Sequence, residues 1–314
     1  MEKLTIIIPF LNEGNEIENT VVSIRETAIT DPYILLLNDC SEDGFDYESV
    51  ALKYNCRYVK NKIRTGSAPS RDIGVALCET PYFLFLDGHM RFYEQGWDEK
   101  LIRLLTENPR SLLCSQTKRL TRNEENLVIL DTEEKRKSFG AYLSMEKAAM
   151  FLAKWNVVEL TPHSELMEIP LVLGAAYACN KNYWEYLSGL KGLICYGLEE
   201  QMISIKVWLE GGQCLLVKDW VVGHIYRKSF PYEVPKVETF YNRLFLLELL
   251  FPYSIKNDYF AEYQMVNSSF FSKAYTILKK NYKEVKAQKN YLSTVLKYKI
   301  DYFLEINDRI KMLN

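Results

Sequence analysis

The sequence predicts an α/β protein: a mostly parallel central sheet flanked by helices, followed by a C-terminal helical extension. Three observations carry this expectation. Apolar runs alternate with amphipathic stretches from Leu4 to Val59, the pattern of strand–helix–strand units with right-handed crossovers. The run Phe83-Leu84-Phe85-Leu86 stops abruptly at Asp87-Gly88-His89, as a buried central strand does on reaching the edge where ligands are held. From about Lys236 the strand signals end, and apolar, Lys-rich and Tyr-rich helical patterns take over.

The chain has 314 residues, 48% hydrophobic and 25% charged, enough to bury a large core. Its net charge of −2 offers no attraction to nucleic acid. The seven cysteines are scattered and never spaced as CxxC, which argues against a disulfide framework or zinc knuckle and for a reducing cytoplasm. The N-terminus enters a strand at Leu4 without a basic or apolar leader. No stretch approaches the roughly 18 apolar residues of a membrane span.

Leu4 to Phe10 is a buried strand, and Asn12-Glu13-Gly14-Asn15 turns the chain into an amphipathic helix over about Glu16 to Thr27. Tyr33 to Leu37 is a second apolar strand ending in Asn38-Asp39. A helix over about Tyr47 to Tyr54 and a short strand at Arg57-Tyr58-Val59 follow. Asp39 and the Asn12 loop thus fall on the C-terminal edge of the sheet, where nucleotides are usually held; a turn-forming role for Asp39 is the plainer reading. No GxGxxG follows the first strand and no GxxxxGK[ST] occurs anywhere, which disfavours a dinucleotide site or a P-loop. The turn at Gly66-Ser67 opens a short helix carrying Arg71, a candidate for holding a phosphate or a base edge and equally a helix-surface arginine.

Asp87 and His89 are metal-type ligands separated by one permissive glycine, and an Asp oxygen with a His nitrogen suits a borderline ion such as Mn²⁺; on this stretch alone an ordinary polar turn after a buried strand is the equal alternative. The stretch from Cys114 to Glu168 is the least readable. Asn123 to Asn126 and Glu133 to Lys137 read as solvated charge, Phe139 to Lys154 as helix or irregular chain, and His163 as a structural or surface histidine, with acceptor contact as the lesser alternative. Leu173 to Trp184 reads as a strand turning into a helix. After Gly197, Ile203, Val207 and Trp208 share one helical face, leaving Glu199 and Glu200 at the helix N-terminus. There the helix dipole alone favours acids; the functional alternative is a carboxylate acting on a hydroxyl. Of only three histidines, one lies in the Asp-x-His motif and another, His224, follows a strand-like Val-Val-Gly. His224 is therefore the candidate third metal ligand, with a hydrogen-bonded core histidine as the alternative.

Ile8-Pro9-Phe10-Leu11-Asn12-Glu13, Asn38-Asp39-Cys40-Ser41-Glu42-Asp43-Gly44 and the strand ending in an acidic metal motif resemble the GT-A glycosyltransferases of the family 2 type. The Asp-x-His motif, the Gly197-x-Glu199 block and Gly-His-x-x-Arg-x-x-x-Pro-Tyr over 223 to 232 are similar to the polypeptide N-acetylgalactosaminyltransferases. The resemblance covers about residues 3 to 236. It implies a Rossmann-like GT-A catalytic domain over 1–236 and a helical extension over 237–314. It implies a UDP-sugar donor and Mn²⁺ (or Mg²⁺) held by Asp87, His89 and His224. It places Pro9, Asn12, Glu13 and Asp39 around the nucleotide, Glu199 at the transferred sugar, and Arg227 and Tyr232 on a loop that closes over the diphosphate.

The sequence departs from the group at Leu198, where the group has Gly, and at Glu200, where it has Asn; inverting family 2 enzymes place a carboxylate base there. Glu200 therefore argues for inversion and the whole pattern for retention. A cytoplasmic, bacterial enzyme of glycan or polysaccharide synthesis is expected, acting on a glycan or lipid-linked glycan. The apolar Phe240 to Phe251 is expected to pack on the core or on a second copy in a homodimer. The basic, aromatic tail is a candidate for peripheral contact with the inner face of a membrane, with a solvated helical surface as the plainer reading. The competing functions are a sugar nucleotidyltransferase and a non-catalytic nucleotide-sugar-binding protein of the same fold.

Overall fold

The computed structural model describes residues 3–123, 128–131, 138–147, 151–227 and 229–314. The acidic run at Glu133 and most of the charged stretch from Asn123 lie outside them. Elements run in chain order as β1 (Leu4–Phe10), α1 (Glu16–Thr27), β2 (Tyr33–Asn38), α2 (Tyr47–Lys53), β3 (Arg57–Lys60), α3 (Ser67–Leu77), β4 (Tyr82–Leu86), β5 (Met90–Arg91) and α4 (Trp97–Glu107). Next come β6 (Ser111–Arg122), β7 (Val128–Leu130), β8 (Ala141–Leu143), β9 (Ala153–Trp155), β10 (Leu166–Glu168), β11 (Ala176–Asn180), α5 (Lys181–Tyr186), α6 (Glu199–Glu210) and β12 (Gln213–His224). The chain closes with α7 (Lys236–Leu250), α8 (Tyr253–Val266), α9 (Ser268–Lys280), α10 (Tyr282–Val295) and α11 (Ile300–Lys311).

The main sheet has the order β10-β12-β6-β11-β4-β1-β2-β3. β3, β2, β1, β4, β6 and β12 point one way, and β11 and β10 run against them. Side chains alternate across the pleat. Ile7, Phe83 and Phe85 therefore face one buried cluster, whereas Ile6, Ile8, Leu84 and Leu86 face the other. The second cluster is covered by α1, α2 and α4 through Val21, Val50 and Leu101. The first is covered by α3, α5 and α6 and continues without a break into Leu244 of α7, Phe271 of α9 and Phe303 of α11. Phe240 to Phe251 thus packs on the core of its own chain. Gly74 of α3 lies so close to β1 that a Cβ there would meet Ile7 Cγ2 at 2.3 Å. That close seating brings Arg71, one turn earlier, to the sheet edge.

Within the described part of the stretch read from sequence as helix or irregular chain, the two short strands β8 and β9 form and pair antiparallel. Three residues each are too few for a strand period to show in the sequence. Their support is tertiary. Asn307 of α11, fully buried, accepts from Leu143 N at 2.6 Å and donates to Leu143 O at 3.0 Å. Among the described residues no helix is long and apolar enough to cross a membrane.

Candidate active site

β1, β2, β4 and β12 all end on one edge of the sheet, beside a cleft of about 380 Å³. Asp87 and His89 follow β4 immediately. β12 is 12 residues long, shifts register between Val217 and Val221, and pairs its last two residues with β5. In that pairing His224 lies opposite Met90, the neighbour of His89. The two imidazole rings consequently sit with centroids 4.9 Å apart. One ligand atom from each of Asp87, His89 and His224 lies within 4.8 Å of the others. His224 Nε2 is 3.3 Å from Asp87 Oδ2, and neither buried ring nitrogen of His224 has a hydrogen-bond partner. Burial raises the Asp87 pKa, but the close approach of His224 and the charges of His224, His89 and Arg71 outweigh it and hold the carboxyl below its ordinary value. Two imidazoles and a carboxylate converging in this way fit a borderline divalent cation.

Glu13 stands behind the trio. Its carboxylate bonds His89 Nδ1 at 3.1 Å and both terminal nitrogens of Arg227, at 3.0 Å for Nη1. Arg227 therefore lies on Glu13, in a loop stacked from Tyr196 through Phe230 to Tyr232. Arg64 lies over the Tyr232 ring and donates to Glu233 O. Asp39 accepts from the backbone N–H groups of Thr65 at 2.8 Å and Gly66 at 2.7 Å, fixing the turn that starts α3.

Arg71 does not stand free for a phosphate. It is buried, with Nη1 2.6 Å from Glu200 Oε1 and 3.2 Å from Tyr177 Oη, and Nη2 donating to Gly174 O. Glu200, one of the two candidate catalytic carboxylates, is thereby tied to an arginine. Glu199 differs. The turn before α6 puts Leu198 at φ 73°, left-handed backbone that costs a branched residue strain and a glycine none. Glu199 Oε2 accepts from Gly197 N at 2.8 Å, whereas its Oε1 is buried without a partner. Burial, then the neighbouring Glu200 charge, push its pKa up to about 7.

A carboxyl whose folded pKa exceeds its unfolded value binds its proton more tightly when folded. Its contribution to stability is full below the ordinary value of 4.5 and is lost as pH rises through about 7. Urea unfolding of wild type should lose stability relative to Glu199→Gln by on the order of 3 kcal/mol between pH 5 and pH 8. A constant difference across that range would contradict the raised pKa.

Of the residues singled out in the sequence, Pro9, Glu13, Asp39, Arg71, Asp87, His89, Glu199, Glu200, His224, Arg227 and Tyr232 line the cleft. Asn12 does not; it ties the first two strand-end loops together, its amide oxygen accepting from Glu42 N at 2.9 Å and its backbone N–H donating to Ser41 Oγ. The sequence reading missed Arg64, Trp155, Tyr196, Tyr226 and Phe230, which also line it. Trp155 is 43% exposed and Phe230 51% exposed.

The central sheet flanked by helices, with the candidate site at its strand edge, has the fold of the GT-A glycosyltransferases. The chain is a member of Glycosyl transferase family 2, whose sequence profile matches residues 5–166. Polypeptide N-acetylgalactosaminyltransferase 11 of Xenopus tropicalis is 28% identical over 249 residues, covering 74% of this chain and 39% of that protein. Polypeptide N-acetylgalactosaminyltransferase 10 of Homo sapiens is 28% identical over 247 residues, again covering 74% of this chain and 39% of the relative. The chain thus spans well under half the length of these relatives. The crystal structure of GalNAc-T7 with UDP, GalNAc and Mn²⁺ superposes with a TM-score of 0.79 at 20% identity, covering 100% of this chain and 58% of the other. S. aureus TarS in complex with UDP-GlcNAc gives 0.54 at 14% identity, covering 99% of this chain and 83% of the other.

Proposed function

We propose that the chain transfers a hexose or N-acetylhexosamine from a UDP-sugar to a hydroxyl of a glycan or lipid-linked glycan, with Mn²⁺ or Mg²⁺ as cofactor. The observation that carries this reading is the convergence of Asp87, His89 and His224 in one cleft with Glu13, Arg227 and Glu199. A divalent ion held by the trio would neutralise charge on the departing diphosphate. Arg227 would leave Glu13 for the same oxygens, its planar fork suiting phosphate as it suits carboxylate. The loop carrying Arg227 and Tyr232 would exclude water from the donor. Trp155, Tyr226 and Phe230 form an exposed aromatic rim suited to stacking on an acceptor saccharide.

The Arg71–Glu200 ion pair favours retention over inversion, because a carboxylate held at 2.6 Å by a buried guanidinium is a poor general base. In the retaining course the anomeric C–O bond to phosphate breaks. The acceptor oxygen bonds the same face, and the acceptor proton passes to the departing phosphate oxygen. Glu199 would hold the transferred sugar. A basic surface supports peripheral membrane contact at the cytoplasmic face: Lys273, Lys279, Lys280, Lys283 and Lys286 of α9 and α10 are exposed, as are Tyr282 and Tyr291.

A panel of nucleotide sugars, with and without Mn²⁺, tests the reading by thermal shift and by UDP release. A UDP-sugar should raise the melting temperature only with the ion, and the product linkage should keep the donor's anomeric configuration by NMR. Metal-independent binding would leave a non-catalytic binding protein; an inverted product would return Glu200 to the base.

A further inference from the structure

Glu13 is 6% exposed at its side chain and is shared by two groups that the proposed chemistry uses separately, His89 and Arg227. A carboxylate can only accept. The hydrogen bond between Glu13 Oε2 and His89 Nδ1 therefore requires the proton to be on Nδ1. The lone pair of the neutral ring is then on Nε2, the nitrogen left over for a cation. The other faces of Glu13 are equally committed. Arg227 takes Oε1 at 3.0 Å and also bonds Oε2. At Gly88, between the two predicted metal ligands, a Cβ would meet Glu13 Cγ at 3.0 Å and Ile17 Cδ1 at 2.7 Å. The glycine lets the Glu13 side chain lie directly against the metal motif.

We infer that Glu13 is a positioning residue that couples the metal ligand His89 to the diphosphate-binding Arg227: it sets the His89 tautomer with Nε2 free, and it holds the Arg227 fork beside the metal trio until donor phosphate replaces the carboxylate. This rests on the proposed metal-dependent transfer, but it assigns Glu13 to the metal site and the loop rather than to the nucleotide. Outer partners of ligating histidines orient the ring and raise its basicity, and their loss weakens metal binding about 10–100-fold. The arrangement also links the two halves of the donor site. One carboxylate can release Arg227 without releasing His89, because separate donors occupy it.

The experiment uses the full chain and two probes, Mn²⁺ alone and UDP with saturating Mn²⁺. Isothermal titration should give Mn²⁺ binding to wild type that weakens about 10–100-fold in Glu13→Ala. Glu13→Gln, whose amide oxygen still accepts from His89 Nδ1, should stay within about threefold of wild type. With only three histidines in the chain, long-range ¹H–¹⁵N spectra resolve the tautomer without any metal. His89 should be Nδ1-protonated in wild type and in Glu13→Gln, and a mixture in Glu13→Ala. UDP affinity at saturating Mn²⁺ should change in Glu13→Gln, because Arg227 loses its anionic partner. An Nε2-protonated His89 in wild type, or Mn²⁺ binding unchanged in Glu13→Ala, would overturn the inference while leaving the metal site standing. Absence of Mn²⁺ binding in wild type would instead remove the metal reading beneath it, and with it the role given to Glu13. The wild-type tautomer spectrum keeps the test decisive even if Glu13→Ala does not fold.

Discussion

His224→Ala is expected to remove Mn²⁺-dependent donor binding and to lower the transfer rate by at least about a hundredfold. The lower bound follows from outer partners of metal ligands, whose loss alone costs about 10–100-fold; a ligand itself should cost more. The substitution should not unfold the protein. His224 sits at the last position of β12, and its ring nitrogens make no hydrogen bond whose loss would orphan a partner. The melting temperature without metal should therefore stay near wild type, while the Mn²⁺-dependent increment with a UDP-sugar disappears. Transfer at more than a tenth of the wild-type rate in His224→Ala would exclude this histidine as a ligand. His163, exposed in a polar loop, is the matched control, and His163→Ala should change neither quantity.

Arg71→Ala should have the largest effect on stability. Arg71 is the buried cation facing Glu200 at 2.6 Å and Asp87 at 3.9 Å, with side-chain exposure of only 7%. Burial works against its charge, but Tyr177, Glu200, Glu199 and Asp87 raise its pKa well above the ordinary value. Removing one partner of a buried ion pair costs about 3–5 kcal/mol, because the other charge is left uncompensated. At about 2 °C per kcal/mol for a chain of this size, the melting temperature should fall by about 6–10 °C. The double variant Arg71→Ala with Glu200→Gln should recover part of that loss. A fall under about 1 kcal/mol in Arg71→Ala, or no recovery in the double variant, would mean that the pair is not a unit. Glu200→Gln alone separates chemistry from stability: under a retaining course it should keep much of the transfer rate, whereas loss of a general base typically costs about 10²–10⁴-fold.

Much of the α/β core could be read from the chain alone, because its signals are local. Apolar runs of five to seven residues define β1, β2 and β4, and 3.6-residue periodicity with turn residues bounds α1. The C-terminal ends of those strands carry Asp39 and Asp87, so the ligand edge was legible before any packing was known. The chemistry of Asp87, His89 and His224 as a metal set was legible as residue types, since histidine is scarce in this chain.

What the tertiary structure decided lies in pairs far apart in sequence and in side-chain direction. Arg71 meets Glu200 across 129 positions and Arg227 meets Glu13 across 214; local periodicity carries no information on either distance. These meetings turned a candidate phosphate-binding arginine into the counter-ion of a candidate base. They also made a candidate nucleotide-binding glutamate the shared partner of a histidine and an arginine. The three-residue strands β8 and β9 were illegible for the same reason: Asn307 of α11 supports them across 164 positions, and their pairing carries Trp155 to the rim of the cleft. Backbone pattern depends on neighbours in the chain, and so the sequence by itself determined the sheet and its ligand edge. Which polar side chains neutralise one another depends on the packed geometry that brings distant segments together, and only the folded molecule decided that.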